Sequence, residues 1–494
     1  MPRVVHKAII GREKELKVLN VLSKSIEPKF LAIYGRRRVG KTYLIEQYFQ
    51  GKQVIFFEVT GLKDGSYKEQ LGIFRKALIE IFYPGVLLKE FANWLEALEQ
   101  LTLAIETMPK NKRIVIFFDE LPWLATQKSG FMQAIDHYWN TKWSKRSRLL
   151  FIACGSAASW MIDKLIHARG GLHNRIDETI LLQPFNLKET RIFLKAHGVK
   201  KDLKHILRLY LTFGGVAHYL KQINKNESVV QNINHLCFTP NGKMFIEFDE
   251  LFKSLFSKAD IHEELIKVIG TSNNGISREE IINRFQRFNS GGYLTKCLVE
   301  LEKAGFITSF VPYGNINRGV FYKVSDEYVL FYLRWILPAK NKLKHLKGAV
   351  HYWENMVKTP AYNTWLGLAF ETICYRHLDE IIKILRIKDK VVGVGNWRYT
   401  PKQNSKEKGV QIDLIIDRSD DCINICEIKS SQDSFVITKS YAEKLQNKIN
   451  VFKKKIGTTK EILLTFITLN GLITNKYSTE LVNHHIKFSD LFED

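Results

Sequence analysis

The feature that most constrains this chain is a glycine-containing loop that directly follows a short apolar strand. The run FLAIY (30–34) leads into Gly35-Arg36-Arg37-Arg38-Val39-Gly40-Lys41-Thr42, which has the pattern GxxxxGK[ST]. The glycines of such a loop let backbone N–H groups close around phosphate oxygens, and the helix that begins at Lys41 directs the positive end of its dipole at them. We therefore predict that residues 35–42 bind the phosphates of ATP, with Lys41 reaching the β- and γ-phosphates and Thr42 ligating Mg²⁺.

Two further apolar strands end in polar residues suited to the same chemistry. RIVIFFDE (113–120) ends in Asp119 and Glu120, where an acid that positions Mg²⁺ and a base that activates water are expected. RLLFIACGS (148–156) ends in Ser156, which can reach the γ-phosphate or the attacking water, although a serine at this position is more often only a cap. We predict that Asp119 binds the metal and that Glu120 is the catalytic base.

The pattern of strands and helices predicts an α/β core followed by a helical lid. Apolar strands alternate with helical segments over residues 29–183, which is typical of a parallel sheet covered by helices on both faces. Residues 184–254 lose the strand pattern and read as amphipathic helices. We assign 1–183 to the ATPase core and 184–254 to the lid.

The pattern of the remaining half of the chain predicts two more domains joined by a connector. Over 255–325, three short helices followed by a hairpin-like segment are the layout of a winged helix, and a basic, aromatic connector covers 326–360. Residues 361–494 begin with a long helix near 362–385. Strands then follow near 390–399, 409–417 and 421–428, with a helix near 437–454 and a strand at 461–467, which predicts a separate α/β domain.

A group of charged residues on two of these strands suggests phosphodiester chemistry. In QIDLI (411–415) the period of two places Gln411 and Asp413 on one face of a strand, and in CEIK (426–429) Glu427 and Lys429 share a face. Two adjacent strands bring Asp413, Glu427 and Lys429 together; two carboxylates hold a hard cation, and the ammonium orients water or offsets phosphate charge. The alternative is that these three residues are only part of the ordinary polar surface of a sheet.

The N-terminal motifs, taken together, resemble the archaeal-type ATPases of the AAA+/STAND group. The matching residues are Gly11-Arg12-Glu13 with Glu15-Leu16, the loop, the FFDE strand end, Cys154-Gly155-Ser156, the stretch 169–175, QPF (183–185) and Gly214-Gly215. The resemblance implies that the GREKEL segment lies near the adenine site. It also implies that an arginine before the lid acts as a finger on the γ-phosphate of a neighbouring subunit. Arg175 matches best and Arg169 is an alternative; either can instead be a surface salt-bridge residue.

The C-terminal pattern resembles the restriction-endonuclease-like PD-(D/E)xK superfamily. In that superfamily the D…ExK hairpin follows a helix that carries another acid, and Glu371 in GLAFE matches that acid. This chain departs from the fullest pattern because no proline precedes Asp413. The resemblance implies Mg²⁺-dependent cleavage of DNA, or less often of RNA.

Composition agrees with a nucleic-acid partner and with an intracellular protein. Lysine and arginine exceed aspartate and glutamate by 74 to 51, giving a net charge of +23, which favours a polyanion as the partner. No apolar run approaches the length of a membrane span, and the six scattered cysteines indicate neither a disulfide framework nor a zinc module. We expect a cytoplasmic ATPase directed at DNA. The rival hypothesis is a signalling or transcription-linked switch with an inactive nuclease fold.

Overall fold

The computed structural model describes residues 9–167, 174–284, 291–314, 319–344, 351–401 and 409–493. The N-terminal part of the chain is built on a parallel sheet of five strands in the order β2-β3-β4-β1-β5. The strands are β1 (Lys29–Tyr34), β2 (Val54–Thr60), β3 (Arg113–Asp119), β4 (Leu149–Gly155) and β5 (Glu178–Leu181). The predicted α/β fold with a parallel sheet is thereby confirmed.

Helices cover both faces of this sheet, and each face has its own hydrophobic core. The helices are α1 (Glu13–Lys24), α2 (Lys41–Phe49), α3 (Tyr67–Phe82), α4 (Trp94–Thr107), α5 (Leu121–Leu124), α6 (Phe131–Thr141) and α7 (Ala158–Trp160), which continues into a π-helical segment, Met161–Ile166. Strands β3 and β4 are buried along their whole length, as strands covered on both faces must be. Their polar residues are therefore confined to the strand ends.

The segment after the sheet is helical. It consists of α8 (Leu187–Ala196), α9 (Leu203–Phe213), α10 (Ala217–Leu220), α11 (Val229–Cys237) and α12 (Lys243–Leu255). Side chains of Asn186, Asp202 and Ser228 accept hydrogen bonds from the first turns of α8, α9 and α11, which fixes where these helices begin.

Residues 259–324 form three helices and a small antiparallel sheet. The helices are α13 (Ala259–Ile269), α14 (Arg278–Arg284) and α15 (Gly292–Lys303), and the strands are β6 (Ile276–Ser277), β7 (Ile307–Phe310) and β8 (Phe321–Val324), in the order β6-β8-β7. The turn after β7 contacts the C-terminal sheet, because the backbone N–H of Tyr313 donates to the carbonyl of Asn396 at 2.8 Å.

The segment predicted as a connector is helical in its described residues, and several of its large apolar side chains are buried. It contains α16 (Glu327–Phe331), a π-helical segment Tyr332–Ile336, α17 (Leu337–Lys344) and α18 (Tyr352–Met356). Its aromatic residues do not face solvent: Phe331, Trp335 and Trp353 pack on one another and on Trp365 of the next helix. These aromatic residues, which were predicted to belong to a connector, thus contribute to the hydrophobic core.

The predicted long helix near 362–385 is two helices, α19 (Pro360–Arg376) and α20 (Leu378–Ile384). They meet at His377, which is 1 % exposed and accepts a hydrogen bond at Nε2 from the backbone N–H of Leu187 at 3.1 Å. The break therefore lies where this part of the chain contacts the start of α8.

A second sheet of five strands follows in the order β13-β12-β11-β10-β9. It consists of β9 (Val391–Tyr399), β10 (Val410–Arg418), β11 (Cys422–Lys429), β12 (Glu461–Thr468) and β13 (His484–Lys487), with α21 (Lys439–Ile456) and α22 (Lys476–Leu481) in the connections. Strands β9, β10 and β11 pair antiparallel, whereas β12 and β13 pair parallel to their neighbours.

One hydrophobic core runs from Phe185 in the helical segment to Phe492 near the end of the chain. It includes residues of α9, α13, α16 and α19, so the predicted boundaries at 254, 325 and 360 all lie within it. No helix within the described ranges is long and apolar enough to cross a membrane.

Candidate functional site

The glycine loop has a backbone that only glycine adopts without strain at two positions. Gly35 has φ 141° and Gly40 has φ 98°. A Cβ on Gly35 would lie 2.4 Å from the carbonyl oxygen of Leu182, so the loop also packs too tightly there for a side chain. The first turn of α2 follows at once, which aims the N–H groups of that turn into the space enclosed by the loop.

Lys41, Thr42 and Asp119 lie together at the carboxyl ends of the strands. The Lys41 ammonium donates to the carbonyls of Gly35 and Arg36 at 3.0 and 3.1 Å, and the Thr42 hydroxyl donates to Asp119 Oδ2 at 2.7 Å. The other oxygen of Asp119, Oδ1, is buried with no hydrogen-bond partner among the described residues. The Thr42 hydroxyl and the unpaired Oδ1 of Asp119 are oxygen ligands of the kind that a small, hard cation such as Mg²⁺ takes.

Glu120 and Ser156 form a hydrogen-bonded pair beside this group. Ser156 donates to Glu120 Oε2 from its backbone N–H at 3.1 Å and from its hydroxyl at 2.8 Å. Glu120 has φ 47°, an uncommon conformation for a glutamate, at the junction between β3 and α5. Ser156 is thus placed to orient the Glu120 carboxylate.

A cavity of about 660 Å³ opens over the loop. Of the predicted nucleotide-binding residues, Arg37, Arg38, Val39, Gly40, Lys41, Thr42 and Glu120 line it, whereas Gly35, Arg36, Asp119 and Ser156 do not. The far end is lined by Ile9, Ile10, Phe193 and His197, which belong to none of the motifs, and by Phe185 of the QPF segment. That end is apolar and aromatic, as a site for a purine base requires.

Arg12 links the two ends of the cavity. Its guanidinium is 5 % exposed and donates to the carbonyls of Gln183 at 2.7 Å and Val39 at 3.2 Å. It also lies 4.3 Å over the ring of Phe185. Arg12 of the GREKEL segment therefore lies beside this cavity; that the segment is near the adenine stays a prediction.

The side chains of two loop arginines are paired with acids outside the loop. Arg36 forms a buried ion pair with Asp326, the residue that caps α16, and Arg38 pairs with Glu247 of α12. The side chains of both residues are thus anchored to helical segments distant in sequence. Any contact of Arg36 with phosphate must come from its backbone N–H.

The arginine-finger candidate within the described residues, Arg175, is exposed and does not line this cavity. Arg169 lies outside the described residues. A role on a neighbouring subunit stays a prediction.

The predicted carboxylates of the C-terminal sheet lie side by side. Strand β10 pairs with β11 in the register that places Leu414 opposite Cys426, so Asp413 and Glu427 occupy adjacent positions. The pairing of β10 with β9 shifts its register by one residue between Ile412 and Ile415, so an irregularity of the strand pair lies at Asp413. Asp413 Oδ2 accepts a 3.4 Å hydrogen bond from the N–H of Ile428.

Glu427 is surrounded by donors. Its Oε1 lies 2.7 Å from Lys429 Nζ and accepts a 2.5 Å hydrogen bond from the Tyr441 hydroxyl, and its Oε2 accepts from Lys448. Burial alone would raise the pKa of Glu427, but the ammonium groups of Lys448 and Lys429 outweigh burial and hold the pKa low. Lys448 and Tyr441, both on α21, were not identified from the sequence, because no spacing connects them to the strand motif.

Glu371 faces the same group from α19. Burial, reinforced by the nearby Asp413 carboxylate, raises the pKa of Glu371 to about 7. Lys323 of β8 and Lys429 act in the opposite direction, so both ammonium groups lie within electrostatic reach of Glu371. The structure thus brings Glu371, Asp413, Glu427 and Lys429 together.

A different cluster lies between α13 and α15. His262, Cys297 and Glu300 form the one set of three potential metal ligands within 4.8 Å of one another in the described part of the chain. His262 Nε2 lies 2.8 Å from Glu300 Oε2, and Nδ1 lies 3.0 Å from the carbonyl of Lys258. Burial would lower the pKa of His262, but hydrogen bonds to Cys297 and Glu300 raise it to about 9. A buried imidazolium–carboxylate pair accounts for this cluster.

Comparison with known proteins identifies the N-terminal part. Residues 9–223 match the family described as an ATPase domain predominantly from Archaea. The chain carries an ATPase domain of the archaeal P-loop type. Residues 332–445 match a family of archaeal and bacterial proteins of unknown function, whose span crosses the predicted boundary at 360.

Among individual proteins, an uncharacterized protein of Methanocaldococcus jannaschii is 24 % identical over 413 residues, covering 82 % of this chain and 83 % of its own length. The Walker-type ATPase of Pyrococcus abyssi is 18 % identical, covering 66 % of this chain and 96 % of that chain, with a TM-score of 0.47. The ORC2 protein of Aeropyrum pernix, in complexes with ADPNP and ADP, is 14 % identical, covering 69 % of this chain and 98 % of its own, with a TM-score of 0.42.

Proposed function

We propose that the chain is an ATPase of the AAA+/STAND group whose nucleotide state controls Mg²⁺-dependent cleavage or processing of DNA by a PD-(D/E)xK-type site in its C-terminal domain. The observation that carries the cleavage half is the convergence of Glu371 from α19 with Asp413, Glu427 and Lys429 from adjacent strands. Three acids and a lysine from separate elements, facing one another and partly shielded from water, are unusual for plain sheet surface.

The roles in ATP hydrolysis follow from the contacts around the glycine loop. Lys41 would exchange its loop carbonyls for phosphate oxygens, and Thr42 and Asp119 would hold Mg²⁺. Glu120, oriented by Ser156, accepts a proton from the water that attacks the γ-phosphorus. The bond from that phosphorus to the β,γ-bridging oxygen breaks, releasing ADP and phosphate.

The roles in DNA cleavage follow from the carboxylate group. Asp413 and Glu427 would hold Mg²⁺, which offsets charge on the phosphate. Lys429 and Glu371 would orient a water for attack on phosphorus, and the Glu371 carboxylate would accept the proton that this water loses. A P–O bond of the backbone breaks as the new one forms, and the leaving oxygen receives a proton from solvent. Because Lys429, Lys448 and Tyr441 now occupy the oxygens of Glu427, some of these contacts must open when the metal enters.

A chain of buried ion pairs supports coupling between the two sites. Arg36 of the loop pairs with Asp326, and the next residue, Glu327, pairs with Arg376 at 2.6 Å. Arg376 lies on α19, little more than one helical turn after Glu371. A change in the loop on nucleotide binding can therefore shift the helix that carries one of the carboxylates.

DNA is the proposed partner because of the net charge of +23 and because α13–α15 with β6–β8 have the layout of a winged helix. Arg278 and Arg284 both lie on α14. Action of Arg175 on a second copy of the chain would make the ATPase a homo-oligomer.

A second candidate function is an ATP-dependent signalling or transcription-linked switch with an inactive nuclease fold. The observation that favours it is the saturation of both Glu427 oxygens by Lys429, Lys448 and Tyr441, which leaves this carboxylate fully paired without a metal.

The two functions are separated by a cleavage assay on plasmid and single-stranded DNA with Mg²⁺, with and without ATP. We expect cutting by the natural chain and its loss in Glu427→Gln and Lys429→Ala. Glu461→Gln, the same change at an exposed position of β12, serves as the matched control. Absence of cutting under every nucleotide condition, with ATP hydrolysis intact, would contradict the nuclease and favour the switch.

A further inference from the structure

A second cavity, of about 560 Å³, lies beside the carboxylate group. It is enclosed by α13, β8, the π-helical segment Tyr332–Ile336 and α19, and we call it the α13–α19 cavity. Thr372 of α19 lines it, and Glu371 is the preceding residue. Lys323 lines it as well and interacts electrostatically with both Glu371 and Asp413. The cavity and the carboxylate group are therefore neighbours that share Lys323.

The charged side chains that line the cavity are all cationic. They are Lys267, Lys323 and Arg334, and no aspartate or glutamate is among the lining residues. Acids nearby offset part of this charge, since Glu263 lies 3.8 Å from Lys267 and Glu371 attracts Lys323. Arg334 is exposed, with its guanidinium 5.3 Å over the ring of Trp335. The mouth of the cavity is thus suited to an anion.

The rest of the wall is apolar, with hydroxyl and amide groups at one edge. Leu330, Leu333 and Leu368 line it together with Trp365, whose ring is 8 % exposed. Asn273, from the turn after α13, supplies a donor and an acceptor, and the Ser272 hydroxyl, which donates to the carbonyl of Gly275 at 2.7 Å, can accept. A ligand that fits all three parts has an anionic end, a flat apolar face and hydrogen-bonding edges, and the space admits one nucleotide.

We propose that the α13–α19 cavity binds a nucleoside phosphate, with its phosphate at Lys267, Lys323 and Arg334 and its base against the apolar wall. This inference deepens the proposed function, on which it rests for its biological meaning. A strand whose scissile phosphate lies at Asp413 and Glu427 would place an adjoining nucleotide in this cavity. A free nucleotide offers the same chemistry.

Binding is tested without cleavage, in the full chain carrying Lys41→Ala, so that the glycine loop does not take up nucleotide, and with a chelator present. The probes are a fluorescent short oligothymidylate and thymidine 5′-monophosphate. One variant removes two cations, Lys267→Ala with Arg334→Ala, and another fills the mouth, Thr364→Trp, at an exposed position. The control, Lys68→Ala with Lys76→Ala, removes two exposed cations from α3.

We expect both cavity variants to weaken oligothymidylate binding by about tenfold and the control to change it by less than about twofold. Loss of oligothymidylate binding alone identifies a strand as the source of the nucleotide, and a parallel loss of monophosphate binding identifies free nucleotide as a ligand too. Unchanged binding of both probes in both variants would overturn the inference.

Because no metal is present, the result does not depend on cleavage. If DNA is cut but the cavity variants bind both probes normally, the inference fails and the proposed function stands. If DNA is never cut but the variants lose binding, the cavity assignment stands without the nuclease.

Discussion

Arg36 of the glycine loop and Asp326 at the start of α16 form a buried ion pair between residues 290 positions apart in the chain. The two residues are 4 % and 1 % exposed. Nε and Nη2 of Arg36 are buried without a hydrogen-bond partner among the described residues, so the guanidinium depends on Asp326 for its charge compensation. The conformation of the nucleotide loop is therefore tied to a residue far outside the ATPase motifs.

Asp326→Asn should destabilise the protein by about 3 kcal/mol, because the amide still caps α16 but leaves the Arg36 charge buried and unpaired. Chemical denaturation measures this. Asp249→Asn, which removes the partner of Lys340 at a carboxylate that is 40 % exposed, is the matched control and should cost less than about 1 kcal/mol.

The double variant Arg36→Met with Asp326→Asn should regain most of that stability, since no charge is left unpaired. We expect it still to bind ATP, but any effect of ATP on DNA cleavage or DNA binding should be reduced. An unchanged ATP effect in this variant would show that the ion pair is structural only.

Glu120→Gln should lower the rate of ATP hydrolysis by at least about a hundredfold and leave ATP affinity within about twofold, because it removes a base without changing the shape of the cavity. Ser156→Ala should also lower the rate of ATP hydrolysis, but by less, because the hydrogen bond from the backbone N–H of this residue to Glu120 remains. Calorimetry and phosphate release give the two quantities. Ser147→Ala, just before the other end of β4, is the control, and an equal loss there would argue against positioning by Ser156.

Metal affinity at the carboxylate group should rise with pH through the pKa of Glu371, about 7. Below this pKa the carboxyl is protonated and contributes no charge to a cation. We expect Mn²⁺ to bind about tenfold more tightly at about pH 8 than at about pH 6 in the Lys41→Ala background, measured by electron paramagnetic resonance. Glu371→Gln should abolish that dependence.

The raised pKa of Glu371 makes the stability of the fold decrease with pH, whereas it makes metal affinity increase. Between the ordinary glutamate value and about 7, the folded state binds more protons than the unfolded state, so Glu371 lowers stability as the pH rises through this window. Glu371→Gln should therefore be more stable than the natural chain above about pH 7, and the difference should vanish in acid. A constant difference at all pH values would contradict the assigned titration.

His262 should make stability fall on the alkaline side. Its pKa is raised to about 9, so the stabilisation is fully present below the unfolded value near 6.5 and is lost as the pH rises through about 9. We expect a loss of about 2 kcal/mol in chemical denaturation between these values. The variant His262→Gln with Glu300→Gln should show a flatter profile; a profile as steep as that of the natural chain would assign the titration to another group.

The elements near each motif could be predicted because local periodicity determined them. The strand before Gly35, the acidic end of β3 and the D…ExK strands lie within two residues of their expected bounds. The pairings of Arg36 with Asp326, Arg38 with Glu247 and Glu427 with Lys448 could not be predicted. They join residues 290, 209 and 21 positions apart with no shared motif. The segment 326–360 was predicted to be a connector, whereas its described part forms helices with buried aromatic residues. Amino-acid composition alone does not distinguish aromatic residues that are buried from those that are solvated.

The hydrophobic core whose residues range from Phe185 to Phe492 sets a limit on how this gene can change. One family match ends at residue 223 and the other begins at residue 332. The described residues from both matches and from the segment between them contribute to one hydrophobic core. A deletion of the C-terminal half would remove the residues that pack against the lid and would expose the apolar side chains of the lid to water. Recombination that exchanges the C-terminal half must therefore bring a matching lid with it, so the two are expected to be inherited as one unit.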